Sequence, residues 1–73
     1  MSKEEVLEFI RRYESRVSLA YEHLNEDPKL VIEYCLYMTK DLSENRKSLS
    51  RKTFGRLNAK SKKLEEKAES ILG

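Results

Sequence analysis

Cys35 and His23 are the only thiol and the only imidazole in the chain, so any nucleophilic catalysis would fall to them. Such a pair must sit within hydrogen-bond reach, with a third group to orient the base. Cys35 lies inside an apolar run, and His23 lies near the end of a preceding helical pattern. Cys35 therefore reads as a small buried hydrophobe. His23 reads as a surface residue at a helix C-terminus, where its partial charge is tolerated. One Cys and one His also fall short of a zinc ligand set without carboxylate help. The chain has no glycine-rich phosphate loop and no other catalytic motif. The expectation is a protein that is not an enzyme, with no metal and no cofactor.

Binding chemistry has more to work with. Between Asn45 and Lys63 there are eight basic residues and no acidic one. Arg46, Lys47, Arg51 and Lys52 come first, followed by Arg56, Lys60, Lys62 and Lys63. A stretch of one sign sets up a field that favours acidic partners. Taken at about 100° per residue, Lys52, Arg56, Lys60, Lys63 and Lys67 form one lateral stripe on a helix, with Arg51 and Lys62 on the other flank. That stripe suits a phosphate backbone or an acidic helix, and a plainly solvated face is the alternative. Nucleic-acid readers usually carry a larger positive charge or exposed aromatics. Here the net charge is only +2, and Glu65, Glu66 and Glu69 end the run. Nucleic acid thus ranks behind a protein partner.

Two tyrosines add an apolar feature. Tyr34 and Tyr37 stand three apart in a segment where nine of thirteen residues, Leu30 to Leu42, are apolar. Two neighbouring helices cannot cover all of these along with Leu30, Leu36 and Met38. The excess suggests an apolar patch that a partner covers.

The elements that position these residues follow from the rest of the pattern. Seventy-three residues make a single domain, spanning 1–73. With two Gly and one Pro, the chain is poor in turn-formers, which argues for helices over an all-β fold. A lone cysteine gives no sign of a secreted, disulfide-stapled scaffold. No apolar run approaches the roughly 20 residues of a transmembrane helix, and the N-terminus lacks a signal-peptide core. The expectation is a cytoplasmic protein.

Ser2 and Glu5 have capping-box spacing, and Val6, Ile10, Tyr13, Val17, Ala20 and Leu24 recur at steps of 3 and 4. They predict a first helix over 3–25. Asp27 followed by Pro28 is an N-cap and first-turn signal, which predicts a second helix over 28–46. Being apolar on nearly every side, it is expected to be the central element. Serines at 43, 48 and 50 mark a turn. Phe54, Leu57, Ser61, Leu64, Ala68 and Ile71 predict a third helix over 51–72, with Gly55 as a weak spot and Gly73 as the stop. Short connections make neighbours antiparallel, so the fold class is all-α, an up-down-up antiparallel three-helix bundle. A dimerising helical hairpin is the rival arrangement.

The closing run Leu64-Glu65-Glu66-Lys67-Ala68-Glu69-Ser70-Ile71 resembles the third helix of MIT domains, the microtubule-interacting and trafficking modules. Those often end in a basic-Ala-Glu-x-aliphatic run. The layout is similar too, with three helices in a short chain and Tyr34 within an apolar second helix. Glu65 stands where family members often carry leucine, and the first helix has only Ala20 among the small alanines typical of the family. The resemblance implies an asymmetric three-helix bundle that binds short, often helical motifs from the tails of ESCRT-III-type proteins. Such modules act as adaptors in protein transport, recruiting a AAA ATPase or another activity to membrane-remodelling filaments.

Taken together, these features predict a helix-in-groove interaction module. Tyr34, Tyr37 and Met38 would form the apolar wall of a groove bordered by helices two and three. Arg56, Lys60, Lys63 and Lys67 would form its rim. The partner would be an amphipathic or acidic helical segment of another protein, and the chain would be a monomer or a weak homodimer. A small nucleic-acid-binding domain using the basic face of helix three is the alternative.

Overall fold

The computed structural model describes residues 1–73 as three α-helices with no strand. Helix α1 spans Lys3–Glu22, α2 spans Pro28–Glu44 and α3 spans Arg51–Leu72, with a single 3-10 turn at Arg46–Ser48 between the last two. Each helix starts where its cap residue stands. The Ser2 hydroxyl accepts from the Glu5 amide at 3.2 Å while the Glu5 carboxylate accepts from the Ser2 amide at 3.4 Å. Asp27 accepts from the Leu30 amide at 3.2 Å with Pro28 in the first turn, and Ser50 accepts from the Thr53 amide at 3.1 Å. These side chains satisfy amides that have no partner inside the helix.

The helix ends are shorter than periodicity implies. Helix α1 stops at Glu22 rather than 25, because residues 23–27 turn back and His23 and Leu24 bond to Ala20 and Tyr21. Leu24 still reaches the core from that turn.

Cross-helix pairs fix the directions. Arg16 meets Asp41, while Leu19, Ala20 and His23 face Leu30, Val31 and Tyr34, so α1 and α2 are antiparallel. Glu14 meets Lys60 and Tyr21 meets Lys67, so α1 and α3 run the same way. Helix α2 then runs against both, in a rod of 40 × 17 × 16 Å.

The core is one cluster drawn from all three helices. Phe9, Tyr13, Val17 and Ala20 come from α1, Val31, Cys35, Met38 and Leu42 from α2, and Leu57, Leu64 and Ala68 from α3. Burying a leucine or phenylalanine of this kind contributes about 1.5–3 kcal/mol.

The central element is α3, not α2. Helix α3 packs along both neighbours, most extensively against α2, while α1 and α2 touch each other least. The reason lies in side-chain size. Four residues of α3 are fully buried, and two of them, Ser61 and Ala68, are small enough to let both neighbours approach. Helix α2 has more apolar surface but carries it as bulky residues around its circumference, and only one stripe of it meets the other helices.

Candidate functional site

The surface that α2 leaves uncovered is large. Leu30, Leu36 and Tyr37 are 57%, 58% and 78% exposed, and Tyr34 is also exposed. Leu36 lies on the outer side of α2. Leu30, Tyr34 and Tyr37 share the side that borders α1, since steps of 4 and 3 return to one helix face.

There the weak contact between α1 and α2 leaves a furrow. One end is a hollow of about 340 Å³ lined by Leu19, Ala20 and His23 of the first helix and its cap, and by Leu30, Val31 and Tyr34. The other end is a hollow of about 460 Å³ lined by Arg16, Tyr34, Tyr37, Met38, Lys40, Asp41 and Glu44. Tyr34 lines both, so the two hollows adjoin at its side chain along the seam. Exposed Leu19 extends its apolar wall onto α1. An ion pair bridges its second end, where Arg16 Nη1 donates to Asp41 Oδ2 at 3.3 Å. The charged rim is mixed in sign: Arg16 and Lys40 against Asp41 and Glu44. Met38 is buried, so it supplies floor rather than wall.

The expected basic rim is elsewhere. Lys60 is paired with Glu14 of α1, and the Lys67 ammonium lies 5.3 Å from the centre of the Tyr21 ring. Lys63 lines a hollow with Glu14, Val17, Ser18, Tyr21 and Lys60. Three of the four expected rim cations therefore lie at the seam of α1 with α3, and Arg56 is exposed beside it. A groove of α2 and α3 that holds both the tyrosines and these cations is not formed. The extensive packing of α2 against α3 closes that seam, and the spare face of α2 turns toward α1 instead. Sequence reasoning missed Leu19 and Leu30 as site residues. Leu19 interrupts an otherwise charged side of α1, and that was its only available signal.

The groups with shifted acidity are structural. The Lys60 hydrogen bond, with help from the charges of Lys60 and Arg56, holds the Glu14 carboxyl below its ordinary value despite partial burial. Burial pushes the Cys35 thiol up to about 11, and Glu65 adds to the shift. A buried thiol held neutral is a poor nucleophile. His23 is exposed at the α1 cap, its Nδ1 3.1 Å from a Glu26 carboxylate oxygen. No cluster of three or more His, Cys, Asp or Glu side chains has the arrangement of a metal site. No helix is long and apolar enough to cross a membrane.

What the fold and this surface define is a small all-α three-helix domain with an apolar furrow on one side and a basic face on another. No protein-family model, no curated protein and no solved structure matches the chain.

Proposed function

We propose that the chain is a non-catalytic protein-interaction module that seats an amphipathic helix of a partner protein in the furrow between α1 and α2. The observation that carries this reading is the set of exposed apolar side chains Leu19, Leu30, Tyr34 and Tyr37 lining two adjoining hollows, left open outside the core cluster. Contiguous exposed apolar surface rimmed by polar side chains is the usual mark of an interaction site. A helix laid in such a groove presents apolar anchors at i, i+3, i+4 and i+7. The exposed tyrosines would act as anchors of large area and low conformational cost. The mixed rim gives orientation through Arg16, Lys40 and Glu44 rather than selecting an acidic partner. The resemblance of the closing run to MIT domains agrees with an adaptor role, with the groove on a different pair of helices.

The test is a titration of isotope-labelled protein with an 18-residue amphipathic peptide helix, followed by backbone amide shifts. Perturbations at residues 19, 30, 34 and 37, weakened at least tenfold by Leu30→Asp and by Tyr37→Ala, are expected. Both side chains are exposed, so neither change disturbs the core. Binding unchanged in both variants, or shifts confined to α3, would overturn the reading. Light scattering at two protein concentrations separates it from self-pairing through the same face.

A further inference from the structure

The basic stretch that the furrow does not use is largely without partners. The ion pairs of the fold are Glu8 with Arg11, Arg16 with Asp41, His23 with Glu26 and Glu14 with Lys60. Of the eight cations between Asn45 and Lys63, only Lys60 has an acidic partner. The others are all exposed.

Their arrangement on α3 is not a simple stripe. At about 100° per residue, Arg51 and Lys62 fall on one edge of the outer face, and Lys52, Arg56 and Lys63 fall on the other, about 100° away. Between the two rows stand Gly55 and Ala59, both exposed, and a Cβ at Gly55 would meet nothing within 4 Å. Glu66 and Glu69 close the face toward the C-terminus. The basic part of α3, residues 51–63, is therefore about 18 Å long. At its N-terminal end the 3-10 turn adds Arg46 and Lys47 around a hollow of about 580 Å³, with Leu49, Arg51 and Phe54 completing the lining. The Arg46 guanidinium is held 4.9 Å from the centre of the Phe54 ring, which fixes its position.

We infer that this face binds duplex nucleic acid through its phosphates, with the first half of α3 seated edge-on in the major groove. A helix with side chains is about 10–12 Å across, and the groove is about 12 Å wide. Cations on both edges then face the two phosphate strands at once, while the bare strip of Gly55 and Ala59 leaves room for the base edges. Small side chains on that strip offer no donor or acceptor to a base, so binding is independent of sequence.

Two other polyanions fit less well. A flat anionic membrane would meet the rows from one side only and could not enclose the helix between two lines of phosphate. It would also find no apolar side chain to take up, because Leu49 and Phe54 are half-buried against the core. An acidic protein helix would find no apolar anchor between the rows.

The experiment uses the 73-residue chain and two fluorescein-labelled 20-base-pair DNA duplexes of unrelated sequence, read by anisotropy from 50 to 200 mM NaCl. The expected log-log salt slope is about −4.5, the value for five phosphate contacts, with the two sequences bound equally within twofold. The double variant Arg51→Gln/Lys62→Gln should lose at least tenfold in affinity and about 2 in slope, with an unchanged circular dichroism spectrum. Arg12→Gln/Lys29→Gln removes equal charge from α1 and α2 and should change neither. Equal losses in both pairs, or a slope shallower than −2, would overturn the inference. So would a poly-glutamate 20-mer competing as well as duplex of equal charge, or phosphatidylserine vesicles binding where duplex does not. Tyr37→Ala should bind duplex like the parent, so the furrow and this face fail or stand separately.

Discussion

The hydroxyl of Tyr13 on α1 is buried beside the Ser61 hydroxyl of α3 but makes no well-formed hydrogen bond to it, while the Ser61 hydroxyl donates to the Asn58 carbonyl of its own helix at 3.1 Å. Both residues are among the most deeply buried in the chain. Burial raises the Tyr13 phenol above its ordinary value of 10.0, a weak hydrogen-bonding interaction with Ser61 works against the shift, and Cys35 and Asp41 add to it. A buried hydroxyl with no partner costs about 1–3 kcal/mol in lost hydration. Tyr13→Phe keeps the ring in the core and removes that cost. Its unfolding free energy in urea should rise by about 1 kcal/mol. A loss of similar size would show that the hydroxyl is bonded in solution.

The pair of Glu14 and Lys60 ties α1 to α3 and makes stability depend on acid. The folded carboxyl lies below its ordinary value of 4.5, so the unfolded chain takes up the proton first. The contribution is complete above the unfolded value and is lost as pH falls through the folded one. Both side chains are more than a third exposed, at 40% and 38%, so screening keeps the effect under about 1 kcal/mol. Glu14→Gln should lower stability at pH 7 by that amount and flatten the limb below pH 4.5 in denaturation curves. An unchanged acid limb would show that the pair contributes nothing.

Cys35 should be silent toward thiol reagents in the folded protein. It is fully buried, and its thiol is pushed up from an ordinary value of 9.0 to about 11. The thiolate fraction at pH 8 then falls about a hundredfold before access is considered. Alkylation by iodoacetamide should proceed at least a hundredfold more slowly in buffer than in urea. Equal rates would mean that the contact of α2 with α3 opens readily.

Gly55 stands in the interior of α3 with ordinary backbone geometry and open space where a side chain would go. Glycine in a helix costs about 1 kcal/mol relative to alanine. Gly55→Ala should therefore raise the urea midpoint by a matching amount, with no change in the spectrum of the folded state. Failure to stabilise would mean that the first turns of α3 are frayed before unfolding begins.

Most of the helical layout was legible in the chain. Ser2 with Glu5 and Asp27 with Pro28 marked the first two helix starts because caps act through neighbours within three residues. The serine turn located the third start, and only the structure singled out Ser50 as its cap. The inward faces of α1 and α3 were legible as well, in Tyr13, Val17 and Ala20 and in Leu57, Leu64 and Ala68. Val6, Phe54 and Ile71 were less sealed than their spacing implied, since they lie nearer the ends of the rod.

The candidate site was legible only as residue types. Spacing along α2 says that Leu30, Tyr34 and Tyr37 share a face, and spacing along α3 says the same of Lys60, Lys63 and Lys67. Neither pattern says which helix each face meets. That depended on how closely the helices approach, which the small Ser61 and Ala68 decided in favour of α3 as the shared partner. Once α3 sat against both neighbours, the tyrosines were turned to one seam of α1 and the lysines to the other. Periodicity is a property of one helix, and the chain determined it alone. The choice of neighbour is a property of three surfaces packed at once, and only the tertiary structure decided it.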